Sequence, residues 1–177
     1  MDIQMNPRLN LFRDDGFAET VMDDPGHIVR CISADRRIAI LPTHGKRTIA
    51  ASSGIFAQID QEFHLHQSPA RPTGVTEVEI FELVGSANYC EIFESFGRPI
   101  DELCLTQDQI VSYAETYPTL CPSDDVISTF FLFKSGSCYY IPRIRRSGSR
   151  RMIARCSTLA YEPAWPASQR HRIVIPR

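Results

Sequence analysis

STFFLFKSGSCYYI, residues 128–141, decides how this chain is read. Phe130, Phe131, Leu132 and Phe133 make a nearly continuous apolar run, which suits a central strand covered on both faces. Residues 134–137 (KSGS) supply a turn, and Cys138, Tyr139, Tyr140 and Ile141 begin a return strand, so the segment reads as a hairpin. The three phenylalanines could line a ligand pocket; they are assigned to the core instead. Downstream, residues 147–149 (SGS) turn the chain again and Met152–Leu159 returns. His171–Ile175 makes a last strand, closed by Pro176.

Upstream, Thr106 with Gln109 three positions later forms a capping box. Ile110, Val111, Tyr113 and Ala114 continue an apolar stripe and Pro118 ends it, which predicts a helix over 107–117. Tyr89, Ile92, Phe93 and Phe96 share one face before Gly97, which predicts another over 88–96. Thr76–Val84 suits a strand or a helix. Nearer the N-terminus, 27–32 and 37–41 are rich in β-branched residues and read as a hairpin, with a third strand at 48–51. Ile55, Phe56, Ile59 and Phe63 have helical spacing, though short apolar runs also suit strands. Residues 67–74 (QSPARPTG) carry two prolines and a glycine and form a loop. Residues 1–26, with acidic pairs at Asp14-Asp15 and Asp23-Asp24, read as a flexible N-terminal segment with room for a short helix around 17–22. The expected architecture is a single α+β domain over 27–177, with a candidate sub-boundary at 67–74. Its sheet is an antiparallel meander with two or three helices packed on one face.

The chain has 177 residues, of which 43% are hydrophobic, enough to bury a core without disulfides or a structural metal. No apolar run approaches the roughly 20 residues that cross a bilayer. The start, MDIQMNPRLNLFRDDGF, lacks a basic stretch followed by an apolar one, so a secretory signal is not expected and a cytoplasmic location is. Six cysteines, Cys31, Cys90, Cys104, Cys121, Cys138 and Cys156, are irregularly spaced without a CxxC pair. They read as free, mostly buried thiols.

Three stretches, LTQDQI at 105–110, TFFLFK at 129–134 and RHRIVIP at 170–176, resemble a pattern in small uncharacterised bacterial proteins. The resemblance covers about residues 90–176. It implies a bacterial origin and a shared fold, and no activity; the chain as a whole is read as a small bacterial or mobile-element protein. The present chain departs from that pattern by carrying Arg143, Arg145, Arg146, Arg150 and Arg151 where an aromatic and aliphatic hairpin is expected.

Those arginines expose a charge split beneath the net charge of −2. Residues 1–142 hold 10 Lys and Arg against 20 Asp and Glu, whereas residues 143–177 hold nine Arg against Glu162 alone. Arg143, Arg145, Arg146, Arg150, Arg151 and Arg155 form the candidate binding site. Guanidinium forks match phosphate and carboxylate oxygens, and Tyr139, Tyr140 and Trp165 could add stacking. The expected partner is an acidic protein surface, a second copy of the chain or nucleic acid. A sequence pI near 6.2 weighs against a dedicated nucleic-acid binder. Internal compensation competes with all of these, because acids such as Glu77, Glu79, Glu82, Asp101 and Asp108 crowd residues 77–108.

Catalytic signatures are sparse. His64 and His66 would share a side of an extended strand as a metal pair, with Glu62 on the same face as the third ligand a catalytic zinc needs; they are assigned instead to a short solvated loop before the proline-rich segment. A site assembled from scattered groups such as Cys104, His64 or the paired acids is the enzyme alternative, and no local motif selects it. Cys31 and His27 lie too far apart on a strand to form a hydrogen bond. Asp124-Asp125 reads as a turn. The sequence therefore points to a non-catalytic binding protein with no cofactor, with a structural homo-oligomer as a further alternative.

Overall fold

The structure is a computed structural model describing residues 27–67, 69–148 and 151–177. The expected N-terminal segment 1–26 and, in the hairpin, Arg150 lie outside the described residues. In chain order the strands and α-helices are β1 (Val29–Cys31), β2 (Ile38–Ile40), β3 (Phe56–Ile59), β4 (Thr76–Leu83), α1 (Tyr89–Glu94), α2 (Gln107–Thr116), β5 (Thr129–Phe130), β6 (Phe133–Ser135), β7 (Cys138–Arg146), β8 (Met152–Thr158) and β9 (Arg172–Pro176). The class is α+β, with a mostly antiparallel sheet.

The sheet runs β1-β4-β9-β5-β7-β8-β3, with β2 also on β4 and β6 also on β7. This order corrects the expected meander. β9 enters the middle of the sheet, antiparallel to β4 and parallel to β5. β3 runs parallel to β8 at one edge. β1 and β2 do not pair with each other as a hairpin. They lie end to end along β4, opposite Phe81–Leu83 and Thr76–Val78 respectively. Ser33 fills the gap between them, its hydroxyl accepting from the Ile80 amide at 2.8 Å.

The helices also differ from expectation, because they cover opposite faces. Successive strand residues point to opposite sides of a sheet. On β9, Val174 joins the apolar cluster of α2, with Ile110, Val111 and Tyr113, while Ile173 and Ile175 join that of α1, with Tyr89, Ile92 and Phe93. Both helices open with the capping chemistry their sequences carry. Thr106 and Gln109 cap α2 reciprocally, and Asn88 and Glu91 do the same for α1. Phe130, Phe131 and Phe133 are buried in the two clusters.

Residues 48–51, expected as a strand, form a turn. Their neighbourhood satisfies its backbone through the first turn of α2: Gln107 Oε1 accepts from the Ile49 amide and Asp108 from the Lys46 amide. The 55–63 segment, read at helical spacing, is β3 followed by a 3-10 turn at Gln61–Leu65. Loop 67–74 packs on residues 43–45, with Thr43 and Thr73 bridged and the Ala70 amide donating to Gly45 O at 2.8 Å.

Gly45 has φ +71, and a Cβ there would strike the Ala70 carbonyl, whereas Gly97, at φ +62, faces open space. Gly45→Ala is expected to lower unfolding free energy in urea titration by about 3 kcal/mol or more, and Gly97→Ala by about 1 kcal/mol. Equal losses would show that the loop yields to the added methyl.

Candidate anion-binding site

Register on the β7–β8 ribbon sorts the six arginines. Arg143 lies directly opposite Arg155, and Arg145 opposite Ile153. Between them Ile144 and Ala154 face the α2 cluster, so alternation turns Arg143, Arg145 and Arg155 together toward the α1 side. Like charges directly opposed on one face of a ribbon destabilise it. The sequence nonetheless places two guanidinium groups there and a third two residues away.

The other described members serve the scaffold. Arg146 Nε donates to Cys121 O at 3.1 Å, and the Arg151 guanidinium donates to Ser53 O and Phe56 O. The expected internal compensation also fails in its specific form. Six of the eight acids of 77–108 pair elsewhere: Glu77 with Arg37 and Arg177, Glu79 with Arg177, Glu82 with Arg30 and Arg170, Asp101 with Lys134, Glu102 with Arg98, and Asp108 with Arg47; Glu91 caps α1. The acid on the hairpin is Asp125, paired with Arg145.

Beyond α1, the arginine face is walled by loop 124–128 and by residues 165–169. The result is a cleft of about 350 Å³ lined by Arg143, Arg145, Arg155, Asp125, Ser128, Trp165, Gln169 and Val126. Its floor is aromatic. Trp165 is fixed by a two-way backbone bridge to Ala87 and packs on Tyr89, Phe130 and His171. The Arg143 guanidinium lies over the Trp165 ring, 5.3 Å from its centre, in cation–π geometry. Arg143 is thereby held in place without an acid. Its Nε is buried and finds no hydrogen-bond partner among the described residues. Burial pushes the Tyr89 phenol up, and the charge of Arg143 opposes that shift.

His171 stands behind this floor, 1% exposed. Its Nδ1 accepts from the Ser128 amide at 3.0 Å and its Nε2 meets Gln169 Oε1 at 2.7 Å. An imidazole accepting at Nδ1 is neutral and carries its proton on Nε2. Burial drives its pKa down to about 4, and the charge of Arg143 acts in the same direction. The histidine braces two walls of the cleft, at Ser128 and Gln169.

The remaining candidates do not converge. His64 is exposed on the 3-10 turn, while His66 packs on Tyr140 and approaches Glu62 at 3.3 Å. Among the described residues no group of three or more His, Cys, Asp or Glu is placed to hold a metal ion. All six cysteines are free. Burial pushes Cys104, Cys121 and Cys156 up to about 12, away from the thiolate a nucleophile needs. Tyr139 bonds Asp101 and Tyr140 packs on Phe133, so of the three expected stacking aromatics only Trp165 lines the cleft. Sequence reading missed Asp125, Ser128, Gln169 and His171. The alternation of Arg143 and Arg145 on one strand was the available signal for the arginines.

Comparison with protein-family models, curated proteins and solved structures finds no match to this chain.

Two outcomes follow from the cleft's electrostatics. Folded His171 binds its proton near pH 4 and the unfolded residue near 6.5, so the unfolded chain gains the proton first as pH falls. Stability is full above pH 6.5 and falls toward pH 4, by a total on the order of 3 kcal/mol. Urea titrations between pH 7 and 5.5, above most carboxylate titration, should show this slope in the wild type and lose it in His171→Gln. Separately, Arg155→Thr relieves the opposed charges and should raise the thermal midpoint, by about 0.5 kcal/mol in stability. A clear fall would mean that Arg155 supports the fold.

Proposed function

We propose that the protein is a non-catalytic binding protein whose contact is the cleft of Arg143, Arg145 and Arg155, which engages an anionic group presented by a partner. One observation carries the reading: two guanidinium groups directly opposed across a ribbon, in a concave site, with one exposed carboxylate among three cations. Such a face is favoured when an anion joins it. Cys104, Cys121 and Cys156 are held as thiols by burial and His171 is buried and engaged at both nitrogens, so none of these four is poised as a nucleophile or a base. The aromatic floor and the His171 brace support a preformed site rather than a mobile charged loop.

The six free thiols favour a reducing compartment, consistent with a cytoplasmic setting. No helix of the described residues is long and apolar enough to cross a membrane.

The test is elution from an immobilised polyanion such as heparin. Wild type should elute at higher salt than Arg143→Ala/Arg155→Ala, and the binding salt slope should fall by about two in the double variant. Arg71→Ala, an exposed arginine outside the cleft lining, should elute close to wild type. Coincident elution of wild type and the double variant would defeat the proposal.

A further inference from the structure

The arginine cleft already holds one anion of its own. Asp125 pairs with Arg145 while its side chain stays 91% exposed; that of Arg145 is only 23% exposed. The carboxylate thus sits at the mouth of the cleft. It answers one of three guanidinium groups. Arg155 has a long contact to Gln58 Oε1, at 3.4 Å, and Arg143 is held by the Trp165 ring with its Nε unmatched among the described residues. Arg155 can turn its donors to a new oxygen without breaking a strong bond, and Arg143 has no acid to give up. An exposed ion pair is also weakly held, because water screens it and two long side chains must be kept in register. Asp125 is therefore a replaceable occupant.

We propose that the cleft is a site for a phosphomonoester dianion, which enters by exchanging for the Asp125 carboxylate. The proposal rests on the anion-binding reading above and names its ligand class. Charge supports it first. With Asp125 displaced, three cations face the ligand, and a phosphomonoester brings a charge of about −1.5 to −2 on three acceptor oxygens. A single carboxylate brings about half that charge and two oxygens, so it leaves two of the three guanidinium groups uncompensated, as Asp125 does. Guanidinium forks bond phosphate oxygens in pairs, and the flexible reach of Arg155 beside the fixed Arg143 allows two forks on one phosphate.

Size and surroundings support it next. A volume of about 350 Å³ is at the small end for ligand sites. It has room for a phosphate with a small organic group against Trp165 and Val126, positioned by Ser128 and Gln169. A nucleic-acid strand would need a basic track continuing from the cleft. Among the described residues Arg146 and Arg151, the neighbours placed to extend it, are turned onto backbone carbonyls, and Arg170 pairs with Glu82.

Calorimetry at low salt on the full chain tests this with three probes: phenyl phosphate, succinate and a single-stranded DNA oligomer lacking terminal phosphates. Phenyl phosphate should bind at least about tenfold more tightly than succinate. Asp125→Asn, an exposed change that leaves the fold intact, should strengthen phenyl phosphate binding about two- to fivefold. Arg143→Ala/Arg155→Ala should abolish it. Succinate binding as tightly as phenyl phosphate would overturn the phosphate assignment and leave the anion-binding reading standing, and so would preferential binding of DNA. Weaker phenyl phosphate binding in Asp125→Asn would overturn the exchange, making Asp125 a ligand contact. Failure of all three probes to bind either the wild type or Asp125→Asn would bring down the anion-binding reading itself.

Discussion

Between Val78–Glu82 of β4 and Thr129–Phe130 of β5, strand β9 supplies the hydrogen bonds that join two otherwise separate groups of strands. On one side stand β1, β2 and β4, and on the other β5 to β8 with β3. Ile173, Val174 and Ile175 are buried on alternating faces, so one short strand contributes to both apolar clusters. Burying three such side chains stabilises by about 5–9 kcal/mol, comparable to the net stability of a whole domain. The same strand brings His171 behind the aromatic floor, and the segment leading into it carries Trp165 and Gln169 to the cleft. The wall of the site is thus a by-product of the strand that closes the sheet.

That dependence explains what could be read locally. The cap at Thr106, the strand character of Thr129–Phe130 and of the last residues, and the β7–β8 return are set by neighbours in sequence; the Asn88 and Glu91 cap is equally local, and sequence reading missed it. Pairing partners are not. Nothing near Val29 or Ile38 says that both lie along β4 rather than on each other, and nothing near Arg172 says that its strand enters the interior. The missing strand at 48–51 has the same origin. Its neighbouring amides are met by Gln107 and Asp108, about sixty residues away, so local propensity is outvoted by side chains of α2. The cleft was legible to a similar degree. The arginines stood out by charge and alternation, whereas their walls came from distant segments with unremarkable composition.

The fate of each arginine also shows why charge counts alone mislead. In an antiparallel ribbon, a shift of one position moves a side chain to the opposite face. Arg145 and Arg146 are adjacent in sequence, yet one meets Asp125 in the cleft and the other a backbone carbonyl of Cys121. The acidic body of the protein is likewise not a reservoir for the hairpin, because Glu77, Glu79, Glu82, Asp101, Glu102 and Asp108 pair with Arg30, Arg37, Arg47, Arg98, Lys134, Arg170 and Arg177 instead.

Trp165 is the one tryptophan in the chain. Indole emission responds to the charges and dipoles around the ring, and here a guanidinium rests on its face and an anion-binding cleft opens beside it. The protein therefore carries an intrinsic optical reporter at the site, unconfounded by indoles elsewhere. Neutralisation or displacement of the Arg143 charge registers directly in its colour and intensity, without a label.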